Sequence, residues 1–104
     1  MDTLPNIHPG EILKLDFLQP LNITATKLAR GIGVGGTRIA EIVRGERTIT
    51  VDTAMRLGRY FNTSPQLWLN LQREYDLEEW QHRHCEMYQD IRAYNDIGVE
   101  KISA

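Results

Sequence analysis

The chain is short of the features that mark several protein classes. Of its 104 residues only one is cysteine, Cys85, so no intrachain disulfide can form and a disulfide-stapled secreted fold is excluded. Four prolines and eight glycines are too few for a collagen-like or proline-rich chain. No apolar run approaches the roughly 18 residues of a membrane span, and the N-terminus lacks a basic region followed by an apolar stretch. The expectation is a cytosolic protein with no membrane partner. With 41% apolar and 25% charged residues, what remains is one small globular domain over residues 1–104, burying one modest core.

Excess charge is also missing: the net value is −2, which taken alone argues against a nucleic-acid partner. The total conceals a partition. Residues 1–21 carry −2 and residues 63–104 carry −4, whereas residues 22–62 carry +4 through Lys27, Arg30, Arg38, Arg44, Arg47, Arg56 and Arg59. The middle segment by itself can attract phosphate.

The few prolines and glycines fall where helices start and stop. Pro9 with Glu11 in the first turn predicts a helix from His8-Pro9 carrying Ile12, Leu13 and Phe17 on one side, with Pro20 as its stop. Thr24 caps a second helix with Leu28 and Ile32 four apart, ended by Gly33. Ile39, Ile42 and Val43 mark a third helix ended by Gly45, and Thr50 caps a fourth with Ala54, Leu57, Gly58 and Phe61 inside. Ser64-Pro65 opens a fifth, with Leu67, Trp68 and Leu71 as its buried stripe. Beyond Asp76, the spacing of Leu77, Trp80, His84, Met87 and Ile91 predicts a further helical segment over 78–94. The tail, 95–104, reads equally as a short strand or a frayed end. The chain is therefore expected to be all-α.

The second and third helices carry the functional signal. Gly33 supplies the positive φ of a sharp turn, Ala29 permits a close helix crossing, and the next apolar period begins about three residues later. That is a helix-turn-helix, whose second helix can enter the DNA major groove.

On these residues the chain resembles the lambda-repressor-like (XRE, or Cro/CI) helix-turn-helix family. More closely, His8-Pro9-Gly10-Glu11-Ile12-Leu13, the run Leu57 to Pro65, Trp68-Leu69-Asn70-Leu71-Gln72 and Tyr75-Asp76-Leu77 are similar to HigA/VapI-type antitoxins. The likeness spans a helix-turn-helix core over about 7–77. It implies a five-helix fold and a homodimer on a palindromic double-stranded operator upstream of its own operon. It further implies neutralisation of a HigB-like toxin, an mRNA endonuclease.

Carried onto this chain, the family's recognition helix begins near Gly35-Gly36 and runs to Arg44. With Ile39, Ile42 and Val43 inward, Thr37, Arg38, Ala40, Glu41 and Arg44 face out. Thr37 and Glu41 match base-reading positions: a threonine methyl meets a thymine methyl, and a glutamate accepts from a cytosine amino group. Arg38 is assigned either a guanine edge or a phosphate. Thr24, Thr26 and Lys27, at the opening of the second helix, and Arg44 and Arg47, at the far end of the third, are expected phosphate contacts. Gly35-Gly36 and Ala25 depart from the family pattern, since relatives commonly place longer polar residues there. Direct readout is then sparser, or Gly36 lets the backbone approach DNA closely.

Competing readings differ in class. Leu77, Trp80, His84, Met87 and Ile91 are expected to form a dimer or toxin interface, weighed evenly against intrachain packing. His82, His84, Cys85 and Glu86 suggest a metal cluster, yet only His82 and Glu86 share a helix face, so neither metal nor cofactor is expected. No nucleophile, orienting partner or phosphate loop accompanies these histidines, which sets an enzyme aside. A stand-alone repressor without a toxin, and an interaction module that has lost DNA binding, are the remaining alternatives.

Overall fold

The computed structural model describes residues 6–94; the expectation for the tail, 95–104, falls outside the described residues. Helix α1 (Pro9–Ile12) passes through a π-helical segment (Leu13–Leu18) into α2 (Gln19–Leu21). Helices α3 (Ala25–Ile32), α4 (Gly36–Val43), α5 (Val51–Phe61) and α6 (Pro65–His84) follow, then a 3₁₀ turn (Cys85–Tyr88). Among the described residues there is no strand, and the all-α expectation holds.

The helix starts are built as the sequence indicates. His8 Nδ1 accepts from the Gly10 N–H at 2.8 Å. Thr24 Oγ1 accepts from Lys27, Thr50 Oγ1 from Thr53 and Ser64 Oγ from Leu67, at 3.0, 3.3 and 3.1 Å. Each occupies an orphan donor of the first turn.

The helix ends share one device. Asn22, Gly33, Gly45 and Asn62 all take left-handed φ of 58–78°. At each, the N–H of the following residue returns five positions to a helix carbonyl, as in Val34 to Ala29 at 3.0 Å and Glu46 to Glu41 at 2.8 Å. These are C-terminal caps that reverse the chain within one residue.

Pro20 does not stop the first helix, contrary to expectation; the chain continues helically to Leu21 and turns at Asn22. The reason lies one turn earlier. Through the π-helical segment the bonds shift to i→i−5, with Gln19 donating to Lys14. That widened turn leaves room for the proline ring and for a residue without an N–H.

The core is a single cluster of Leu13, Leu18, Leu28, Ala29, Ile32, Ile39, Ile42, Ile49, Ala54, Leu57 and Trp68. Phe17 and Phe61 flank Trp68, with ring centroids 5.0 and 6.5 Å away. The Trp68 indole N–H donates to Thr63 Oγ1 at 2.9 Å, so the largest core side chain is both buried and satisfied. Gln72 is buried as well: its Oε1 accepts from the Ile49 N–H at 2.9 Å and its Nε2 donates to Asp76 at 2.9 Å. This fastens the α4–α5 connection to α6.

Gly10 brings α1 against α4. A Cβ at this position would collide with the Ile42 carbonyl oxygen, so only glycine permits the approach.

No break occurs near Asp76. The segment expected as a C-terminal helix over 78–94, its break from the fifth helix left open, is continuous with α6 as far as His84, and only the 3₁₀ turn extends it. Met87 lies on that turn and Ile91 beyond it, so the five spaced residues do not form one helical stripe.

Candidate nucleic-acid interface

Helices α3 and α4 cross through Leu28, Ala29, Ile32, Ile39 and Ile42, all buried. Burying Ile39 and Ile42 turns the opposite face of α4 outward, because side chains three and four apart share a face. On that face Thr37 and Arg44 are exposed and Glu41 is partly exposed. Gly35 and Gly36, at the start of α4, have open space where side chains would stand.

The opening of α3 holds the second set. Thr24, Thr26 and Lys27 are exposed and share a shallow cleft with Arg30, Gly31 and Tyr60. Thr24 Oγ1 uses a lone pair to cap Lys27, which leaves its hydroxyl hydrogen free to donate outward.

The arginines around α4 are engaged within the chain. Arg38 Nη1 meets Asp52 Oδ2 at 2.9 Å and Thr53 Oγ1 at 3.3 Å, directing it back onto α5. Arg56 meets the same Asp52 oxygen at 3.0 Å and donates to the Ile32 carbonyl at 2.7 Å, which caps the end of α3. Arg47 pairs with Glu41 at 2.8 Å and Arg44 with Glu46 at 3.1 Å. Hydrogen bonds from Arg38 and Arg56 hold the Asp52 carboxyl below its ordinary pKa, and Glu46 holds the Arg44 guanidinium above its own.

Two of these relationships lie outside what the sequence pattern indicates. Asp52 and Thr53 receive Arg38, giving it a docked position on the start of α5. Gln72 fixes the loop that carries Arg47 into α5. Only the Asp52–Arg56 spacing of four, an ordinary helix ion pair, hints at the first.

Of the C-terminal residues, Leu77, Trp80, Met87 and Ile91 are exposed, at 48, 50, 59 and 71%. His84 stacks on Trp80 with ring centroids 4.0 Å apart, and the Trp80 indole N–H donates to the Tyr88 hydroxyl. Trp80 and Leu77 also border a groove shared with Ile49, Val51 and Leu69. Among the described residues no group of three His, Cys, Asp or Glu is placed to hold a metal ion. No helix among them is long and apolar enough to cross a membrane.

A capped helix, a glycine turn and an outward-facing second helix define a helix-turn-helix domain. The helix-turn-helix family model matches residues 16–68. Virulence-associated protein I of Dichelobacter nodosus is 52% identical over 75 residues, covering 72% of this chain and 69% of that protein. Antitoxin HigA-1 of Vibrio cholerae is 34% identical over 80 residues, covering 77% and 75%. A solved structure described as Pseudomonas aeruginosa antitoxin HigA with higBA promoter superposes with a TM-score of 0.83 at 42% identity. It covers 86% of this chain and 99% of that one. The chain belongs to the XRE-type helix-turn-helix family, in its HigA antitoxin branch, which is a DNA-binding and not an enzymatic one.

Proposed function

We propose that this chain binds the operator of its own operon as a dimer, represses that operon, and neutralises a HigB-like mRNA endonuclease toxin. The observation that carries the reading is the outward face of α4, with Thr37 and Glu41 at the family's base-reading positions and Arg44 and Arg47 at its end. The similarity to an antitoxin solved with its promoter supports the same reading. Thr37 and Glu41 read base edges, while Thr24, Thr26, Lys27, Arg44 and Arg47 hold phosphates. Arg38 ties α4 to the start of α5. Gly36, without a side chain, brings the backbone near the groove.

The protein-binding half rests on the apolar face of α6. Leu77 and Trp80 border an open groove beside exposed Val51, and exposed aromatic and aliphatic residues around such a groove suit a protein partner.

Two measurements test the reading. Titration against the chain's own upstream DNA should give saturable, salt-sensitive binding, and co-expression with the product of the adjacent gene should yield a stable complex. Absence of the complex with DNA binding intact would leave a stand-alone repressor. Trp80→Ala should weaken dimerisation or toxin capture by at least about tenfold; an unchanged oligomer with unchanged capture removes α6 from the interface.

A further inference from the structure

Every carboxylate of residues 22–62 is spent on an arginine of the same segment. Glu41 holds Arg47, Glu46 holds Arg44, and Asp52 holds both Arg38 and Arg56. Four arginines face three carboxylates, so this paired cluster offers one net positive charge where its four guanidinium groups alone would present a strongly cationic surface.

The pairs are exposed, with side-chain accessibilities of 31–58%. Exposed pairs of this kind are weak and salt-screened, so a phosphate can compete for the arginine. After such an exchange the carboxylate stays beside the DNA, close to the phosphate that replaced it, and repels it. That penalty applies on any sequence. Only a specific site offsets it, through base contacts absent elsewhere, one of which is made by Glu41 itself when a cytosine amino group is in reach. Non-specific binding has phosphate contacts alone and bears the penalty in full.

We propose that Glu41, Glu46 and Asp52 act as built-in counter-charges that lower the affinity for any duplex, so that only a site whose base contacts offset the penalty is held. The inference deepens the operator-binding reading and rests on it for its biological purpose, though its physical content concerns any duplex. Glu46 and Asp52 act without reading bases, and they lower the affinity for every duplex by the same factor.

The experiment compares the full chain with Glu46→Gln, Asp52→Asn and the double variant. Fluorescence anisotropy would be measured on the upstream duplex and on a scrambled duplex of the same composition, across a salt series. Both amides still accept a hydrogen bond, and an unchanged melting curve confirms the fold. Scrambled-duplex affinity should rise roughly tenfold in the double variant at low salt, and operator affinity by a similar factor, with the gain fading as salt rises. Scrambled-duplex affinity that is unchanged or weaker in a folded Glu46→Gln chain and in the double variant overturns the proposal. A wild-type chain that prefers neither duplex would defeat the operator reading alone, because the change in scrambled-duplex affinity still decides the counter-charge proposal.

Discussion

The backbone carbonyl oxygen of Ile42, on the recognition helix, occupies the space that a side chain on Gly10 would need. The first helix therefore rests directly on the backbone of α4, and its orientation is one support of that helix. Gly10→Ala must push the two apart or distort both. We expect a loss of about 3 kcal/mol, the upper range for overpacking in a tight interior, read as a lower urea midpoint. Gly35→Ala, which meets open space, should leave the stability within about 0.5 kcal/mol of the wild type.

His8 links the same contact to pH. Its Nδ1 accepts from the Gly10 N–H, so the cap requires an unprotonated nitrogen. Its ring also stacks edge-on with Tyr75, centroids 4.8 Å apart. Burial lowers the His8 pKa below its ordinary value, outweighing the opposite pull of Asp76 and Glu11. A histidine with a lowered folded pKa leaves stability complete above its unfolded value of about 6.5 and loses stability as pH falls below it toward the folded value. Urea midpoints should accordingly drop between about pH 7 and about pH 5, and His8→Asn, a cap that does not titrate in this range, should flatten part of that drop. Identical pH profiles for the two chains would remove His8 as the cause.

Gly36 should separate folding from DNA binding. A Cβ there meets nothing within 4 Å, while glycine at a helical position is a poor helix former. Gly36→Ala is expected to raise stability by about 0.5 kcal/mol and to weaken operator binding several-fold, since the added methyl stands between the backbone and the groove. Thermal melts and anisotropy titrations on one preparation would measure both. Stability and affinity rising together would contradict the close-approach role.

Punctuation made most of the fold legible. Thr24, Thr50 and Ser64 are short polar caps, Pro9 opens the first helix, and Gly33 and Gly45 are left-handed stops, so local chemistry alone marks these boundaries. Pro20 misled for a physical reason. Its helix-breaking force assumes an i→i−4 ladder, and the π-helical turn before it supplies a different one. The end of α6 was similarly hidden, because the spacing of Met87 and Ile91 persists in residues that leave the helix. At the site, facing directions followed from the burial of Ile39 and Ile42. The partners of the arginines did not, because Arg38–Asp52 and Arg47–Glu41 join residues 14 and 6 apart across turns. Sequence periodicity carries no information about such contacts.

The proposed hold of residues 22–62 on DNA runs through phosphate contacts at the end of α4. Its most direct test is the salt dependence of binding to the chain's own upstream DNA, for the wild type and for Arg44→Ala/Arg47→Ala. A steep linear fall of log affinity with log salt is expected for the wild type. The slope should be shallower by roughly 2 in the double variant, about 0.9 for each phosphate that the missing arginines no longer neutralise. Equal slopes for the two proteins, or no specific binding at any salt from nanomolar to micromolar protein, would contradict it.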